Sequence, residues 1–228
     1  MKHAARWRAF SLIESSVAAV MFGVLLFGVA GTTHWRGAWA WLGLLVAASV
    51  VMSLFLDPRI IRERVSAPTR RHIRGWDALW ATAMGISFFG WLVVMALDAR
   101  RYGWTAVPTW SRYVGAAVVV AVWVVSYVTL QTNVFASPIV DIQHDTHQTV
   151  VTTGPYSVVR HPLYAAVIWF WPATALVLGS GYGLVLSPVL IAVVVVRTVL
   201  EDRTLANELD GYRDYQARVR HRLIPRVW

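Results

Sequence analysis

Long apolar runs with few charges constrain the fold of this chain more than any other feature. A helix that crosses the roughly 30 Å hydrocarbon core of a bilayer needs about 20 mostly apolar residues. We predict membrane-spanning helices at residues 11–31, 38–56, 76–97, 112–131, 163–179 and 183–200. The last two are short and are joined by the sequence GSGYG, and a hairpin that does not cross fully would leave five spans instead of six.

The composition supports this interpretation. The chain is 57% hydrophobic with a mean hydropathy of +0.52, whereas soluble domains are about 45–50% apolar. The first apolar run is long and lacks a clear small-residue cleavage site, so we expect it to be a span and not a cleaved signal. With no cysteine, disulfides and thiol nucleophiles are excluded, and the 13 tryptophans are expected to act as interface anchors. The predicted fold class is an all-α integral membrane protein.

The distribution of basic residues predicts the orientation. If the spans alternate, all but four of the 21 lysines and arginines lie on one side, the exceptions being Arg36, Arg100, Arg101 and Arg112. Positive charge concentrates on the cytosolic side of membrane proteins, so both termini are predicted to be cytosolic. The net charge of +9 therefore indicates topology and contact with anionic membrane lipids, and with no recognisable binding module it does not indicate nucleic acid.

The chain divides into two regions. Residues 1–132 hold four predicted spans, and the basic stretch LDPRIIRERVSAPTRRHIRGWD between two of them is expected to be a loop broken by Pro58 and Pro68. Residues 133–228 begin with a polar segment, 133–161, that is too long for an ordinary connection and is therefore expected to be functional or docked on the membrane face. After the terminal hairpin, charged residues and leucines alternate at helical spacing, which predicts an amphipathic C-terminal helix that Gly211 can interrupt.

The stretch TTGPYSVVRHPLYAAV is a polar hinge just before an apolar run. Pro162 suits the first turn of a helix, which puts His161 at a helix mouth where free backbone N–H groups bind polar or anionic groups. A plain helix-start motif is the alternative, with a turn at Gly154, Arg160 snorkelling to the headgroups and interfacial tyrosines.

Arg197 and Glu201 form a second constellation. They stand four residues apart on one helix face, at the edge of the apolar zone, with Asp202 alongside. Ionisable residues at such depth are paired or functional, and a simple helix-end salt bridge is the alternative.

Other chemistries lack the pattern that they require. His144 and His147 are three residues apart but match no firm zinc pattern, so no metal site is predicted. Ser157 lies in no nucleophile elbow, and no glycine-rich phosphate loop or dinucleotide fingerprint is present.

The sequence TVVTTGPYSVVRHPLYAA, followed later by RTVLEDRTLANELDGYRDYQARVRHRLIP, resembles the isoprenylcysteine carboxyl methyltransferase family. These integral-membrane enzymes use S-adenosylmethionine and are related to the phospholipid methyltransferases. The resemblance covers roughly residues 133–225 and lies in G-P-Y, R-H-P-x-Y, R-x-x-x-E and G-Y-x-x-Y, in that order. The first four spans match only as spans.

The resemblance implies a cofactor site on the cytosolic membrane face. Carried over by position, Arg197 faces a substrate carboxylate and Glu201 is its catalytic partner at the cofactor. The family's frequent Glu-Glu pair is Glu201-Asp202 here, which leaves the role of Asp202 open. The residues expected to bind S-adenosylmethionine are Gln143, Gln148, Thr149, Val150, Val151, Tyr156, His161, Pro162, Leu163, Tyr164 and Glu201.

The expected function is methyl transfer to a lipophilic small-molecule or prenylated acceptor that arrives through the bilayer. A carboxylate acceptor needs no proton removed, which suits a site without an evident catalytic dyad, and a guanidinium can hold it at two points. An amine or thiol would need a base, with His161 or Glu201 as candidates. Two alternatives are a membrane reductase of the steroid-reductase type, using a nicotinamide cofactor, and a non-catalytic transporter or scaffold. The sequence does not predict the oligomeric state.

Overall fold

The computed structural model describes residues 2–70, 73–142 and 148–228, and within these ranges the regular secondary structure is helical. A π-helical turn, Leu97–Tyr102, continues the fourth helix, and a 3-10 turn, Gly154–Ser157, lies in the polar segment. The α-helices are α1 Lys2–Ala30, α2 Arg36–Phe55, α3 Pro58–Arg70, α4 Gly75–Ala96, α5 Thr109–Thr132, α6 Pro162–Leu178, α7 Gly181–Glu208 and α8 Tyr212–Arg218.

The predicted all-helical membrane architecture is confirmed. Within the part of the chain that the structure describes, five helical stretches are long and apolar enough to cross a bilayer: Ala5–Ala30, Arg36–Phe55, Gly75–Tyr102, Thr109–Thr132 and Gly181–Glu208. The apolar helix α6 has 17 residues, which at 1.5 Å per residue gives about 26 Å, less than the hydrocarbon thickness. The number of spans is therefore five if α6 does not cross the bilayer and six if it does.

The basic stretch after α2 is a helix, so the predicted loop is wrong. Pro58 occupies the first helical position, where its missing N–H has no cost, and Asp57 Oδ1 accepts a hydrogen bond from Arg59 N at 2.7 Å. Ile60 and Ile61 are buried in a small apolar cluster, which gives α3 one apolar face and one basic face.

Helix α7 is longer than expected for half of a short hairpin. It is 28 residues long, begins at Gly181 after the α6–α7 turn and continues into the charged C-terminal sequence. The predicted amphipathic segment therefore forms the last turns of α7 together with α8, and Gly211, with φ +79°, separates the two as predicted.

The bundle is closely packed around α6. A Cβ added at Gly115 of α5 would lie 2.6 Å from the Ala173 carbonyl oxygen, so only glycine permits this approach. Several tryptophans lie inside the bundle and not at its interfaces, which corrects the expected anchor role for them. Trp41 is fully buried and donates to Thr174 Oγ1 at 3.1 Å, and buried Trp91 donates to the Gly183 carbonyl at 2.8 Å.

The two ends of the bundle differ. At one end buried Asp98 accepts hydrogen bonds from Ser180 Oγ at 2.6 Å and Thr105 Oγ1 at 2.7 Å, which ties the turn before α5 to the α6–α7 turn. At the other end lie α3, the polar segment and the charged end of α7, and Arg74 forms a salt bridge with Glu208 there.

Candidate active site

A pocket opens at this second end, where α6 begins and α7 loses its apolar character. It holds about 830 Å³ of empty space, including the part open to solvent. Its walls come from the polar segment, the His161-Pro162 turn, the end of α7 and α8.

The predicted cofactor residues that the structure describes all line this one pocket. Gln143 lies outside the described residues, as do His144 and His147. The residues that line the pocket are Gln148, Thr149, Val150, Val151, Tyr156, His161, Pro162, Leu163, Tyr164 and Glu201. Their arrangement is compatible with a bound ligand, and their role in holding a cofactor stays a prediction.

The N-terminus of α6 supplies backbone N–H donors. His161 precedes the helix and Pro162 is its first residue, so the N–H groups of Leu163 and Tyr164 have no acceptor within the helix. Such first-turn groups favour a negatively charged or polar ligand group.

Glu201 lies at the wall of the pocket with its side chain 21% exposed. Its Oε2 accepts a 2.6 Å hydrogen bond from the Tyr164 hydroxyl and is 3.8 Å from Arg197 Nε. Its Oε1 is 3.8 Å from His161 Nδ1, too far for a hydrogen bond. One oxygen is therefore fixed by the protein, and the other is turned toward the histidine.

Arg197 lies behind Glu201 and is not among the residues that line the pocket. It is 4% exposed, donates to the Pro138 carbonyl at 2.6 Å, pairs with Asp77 Oδ1 at 3.3 Å and stacks 3.9 Å from the centre of the Trp80 ring. Within the described residues its buried Nε has no hydrogen-bond acceptor. The predicted role in holding a substrate carboxylate stays a prediction, and this unpaired donor is what it would use.

Asp202, whose role the sequence left open, is the best-connected acidic group at the site. It is 1% exposed and receives both Nε and Nη2 of Arg160, at 2.9 and 3.0 Å, in a two-point ion pair. Arg222 Nε reaches it at 3.0 Å. Arg160 is itself 7% exposed, so the alternative in which it snorkels to the headgroups is wrong.

The residues after α8 fasten the hinge. We call residues 219–222 the C-terminal strap. Arg160 N donates to the His221 carbonyl at 2.9 Å and His161 N to the Arg222 carbonyl at 3.0 Å, while Arg160 Nη1 donates to the carbonyls of Val219 and Arg220. The histidine turn is thus held by main-chain pairing to a distant part of the sequence.

Three tyrosines complete the walls, Tyr156 half-buried and Tyr212 and Tyr215 buried. Burial raises the pKa of Tyr156 to about 12, and it raises the pKa of Tyr212 and Tyr215 well above the ordinary value. All three hydroxyls therefore stay protonated at neutral pH and act as hydrogen-bonding groups. Tyr212 donates to Asp202 Oδ1 at 2.9 Å, and Tyr215 to the Tyr156 carbonyl at 2.7 Å.

Sequence reasoning did not assign Tyr212, Tyr215 or Asn133 to the site, although all three line the pocket. The G-Y-x-x-Y motif at Gly211–Tyr215 was the signal for the two tyrosines. Nothing in the sequence marked Asn133, which donates to the Tyr156 hydroxyl at 3.1 Å. Among the described residues no group of three or more His, Asp or Glu side chains could hold a metal ion.

The fold and the pocket define the class: an integral membrane protein, helical throughout the regular structure of the described residues, with a pocket of mixed polar and apolar lining at one end of its bundle. Residues 110–209 match the family model described as phospholipid methyltransferase. No curated protein matches the sequence.

Among solved structures, the fold is similar to that of a eukaryotic intramembrane Ras methyltransferase, isoprenylcysteine carboxyl methyltransferase. The TM-score is 0.53 at 18% identity, over 96% of this chain and 77% of that chain. At this identity the likeness concerns the fold alone. Together with the family match, it confirms the predicted resemblance to integral-membrane methyltransferases.

Proposed function

We propose that the protein transfers a methyl group from S-adenosylmethionine to a lipophilic acceptor delivered by the bilayer. The observation that carries the proposal is the convergence of separate segments on one pocket. The polar segment, the histidine-proline turn and Glu201 were expected to meet from a resemblance in sequence, and they line one cavity. Most of that cavity is built from the stretch that matches a methyltransferase family model.

The chemistry of the pocket suits this cofactor, which supplies an activated methyl group on a sulfonium. The first-turn N–H groups of α6 suit its carboxylate, and the Glu201 carboxylate suits hydroxyl or ammonium groups. The apolar side chains of Leu205 and Leu209, beside Tyr212, suit a purine face. The protein's part is to position both reactants and to exclude water.

The finer proposal is that the acceptor is a carboxylate, as in isoprenylcysteine-type O-methylation. The phenols of the pocket are held protonated, which removes them as bases, and a carboxylate needs no base. The buried Nε of Arg197 lacks an acceptor within the described chain and would gain one from a carboxylate.

An amine acceptor, such as a phospholipid headgroup, is the second candidate because the matching family model is described as phospholipid methyltransferase. It would require a base, and Glu201 and His161, which both line the pocket, are the candidates for that task. The family model and the solved structure reported above are described as methyltransferases, which favours methyl transfer over the reductase and transporter alternatives.

We further propose that this end of the bundle faces the cytosol, since α3 and both termini carry most of the positive charge. The acceptor would then reach the pocket from the inner leaflet. Division of the chain at residue 132 stays a prediction, and the family match begins earlier, at residue 110 within α5.

The direct test is to incubate the purified protein with radiolabelled S-adenosylmethionine and a membrane lipid extract, and to resolve which species gains the label. Base-labile label in an acidic lipid supports the carboxylate, and base-stable label in an amine headgroup supports the second candidate. Cofactor binding is measured separately by titration calorimetry with S-adenosylhomocysteine. A response to a nicotinamide nucleotide instead would overturn the proposal in favour of a reductase.

A further inference from the structure

Two consecutive acidic residues of α7 lie near the two ring nitrogens of His161, and one of them is within hydrogen-bond distance. Asp202 Oδ1 lies 3.2 Å from Nε2, and Glu201 Oε1 lies 3.8 Å from Nδ1. The ring is 5% exposed and stacks on Tyr164, with the ring centres 5.8 Å apart and the planes inclined by 16°. Together with the main-chain bond from His161 N to the strap, this stacking fixes the plane of the imidazole.

The contact with Asp202 determines which nitrogen carries the proton. Two guanidinium groups, of Arg160 and Arg222, hold Asp202 as a carboxylate, and a carboxylate can only accept. The shared hydrogen bond therefore requires a proton on His161 Nε2. In a neutral ring Nδ1 then has a free lone pair.

We propose that Asp202 is a positioning residue, which sets the Nε2–H form of His161 and so makes Nδ1 an acceptor toward the pocket. Glu201 Oε1 and His161 Nδ1 are then two acceptors 3.8 Å apart that cannot bond to each other. They take a ligand group that carries several N–H or O–H donors, an ammonium or a pair of neighbouring hydroxyls. The inference rests on the proposed function, since S-adenosylmethionine carries both kinds of group.

In this role Asp202 acts from behind the wall of the pocket. Asp202 does not line the pocket, whereas Glu201 and His161 do. Its contacts join the hinge, the C-terminal strap and α8 to one carboxylate, with Tyr212 at 2.9 Å and Gln216 at 3.2 Å. The end of the chain thereby acts on the binding site through the orientation of a single ring.

The first experiment uses the unmodified protein in lipid, labelled with 15N-histidine and held at pH 8 without ligand. Solid-state NMR distinguishes the two neutral forms, and loss of one signal set in His161→Gln assigns the ring. We expect Nε2–H with an unprotonated Nδ1. An Nδ1–H ring, or a ring protonated at both nitrogens, would overturn the proposal whether or not any variant folds.

The second experiment compares Asp202→Asn with Gln216→Ala. The asparagine amide can donate to Nε2, so the ring should switch to Nδ1–H and the Kd for S-adenosylhomocysteine should rise about tenfold or more. Gln216→Ala removes another hydrogen bond from the same carboxylate and should leave both ring form and Kd unchanged, whatever it does to the melting temperature.

An equal loss of affinity in the two variants, or an unchanged ring and Kd in Asp202→Asn, would refute the positioning role. Absence of S-adenosylhomocysteine binding by the unmodified protein would instead reject the proposed function, and the ring measurement would still decide the role of Asp202.

Discussion

Glu201→Gln is expected to weaken cofactor binding with little effect on folding. The amide oxygen can still accept the 2.6 Å hydrogen bond from Tyr164, so the main loss is the negative charge at the wall of the pocket. Loss of a charged hydrogen bond costs about 1–3 kcal/mol, or roughly a five- to 150-fold rise in Kd. Titration calorimetry with S-adenosylhomocysteine measures the Kd, and thermal unfolding in detergent measures stability.

Arg197→Lys is the matched comparison on the same helix face. Lysine keeps a positive charge near Asp77 but loses the stacking on Trp80 and the planar two-point geometry. Because both partners are buried, we expect a measurable fall in melting temperature. The loss of unfolding free energy should be smaller than the roughly 3–5 kcal/mol of a fully broken buried pair. Cofactor affinity should stay nearly intact, and turnover should fall because the acceptor is held less well.

The two variants therefore separate cofactor binding from acceptor binding. Equal losses of cofactor affinity would refute this division of roles. Unchanged turnover in both would show that Arg197 and Glu201 only stabilise the fold.

Three further predictions concern the fold and its orientation. Gly115→Val should lower the free energy of unfolding by about 1–3 kcal/mol, because the added side chain clashes with Ala173. Gly85→Ala should not lower it, because a Cβ there meets nothing within 4 Å. Thermal unfolding tests both variants, and equal effects would contradict the packing. Asp98→Asn should lower the free energy of unfolding by about 1–3 kcal/mol. The Kd for S-adenosylhomocysteine should not change, because Asp98 lies at the end of the bundle opposite the pocket. A changed Kd would contradict this prediction. Reporter fusions should place the C-terminus in the cytosol and residues 103–108 on the opposite side of the membrane. The reverse result would refute both the predicted topology and the proposal that the pocket takes a cytosolic cofactor.

Helix positions and the hinge could be predicted because their signals are local. Apolar runs of span length mark the bundle, and the His161-Pro162 sequence marks a helix start wherever it lies. The loop predicted in place of α3 failed because two prolines were taken as breakers. Leu56, Ile60, Ile61 and Val65 recur at helical spacing, and that pattern outweighs a proline in the first turn.

The partners of the charged residues could not be predicted, since they come from distant parts of the chain. Arg197 and Glu201 share a helix face as expected, but Asp77, 120 positions earlier, approaches the guanidinium more closely. Asp202 is adjacent to Glu201 in sequence but turns about 100° away around the helix, toward Arg160 and the strap. Neighbouring acids on one helix therefore have different surroundings that only the tertiary fold decides.

The continuity of α7 connects the apolar bundle to the site. Buried Val194 belongs to the bundle core, and Arg197, Glu201 and Asp202 follow within the next eight residues. They contact α4, the wall of the pocket and the hinge, respectively. One unbroken helix sets the distances between these groups, so they do not depend on a flexible joint at the membrane surface. We therefore propose that the pocket lies at the depth where the lipid headgroups meet the hydrocarbon, because an amphiphilic acceptor could present its polar end there while its chain stays in the bilayer.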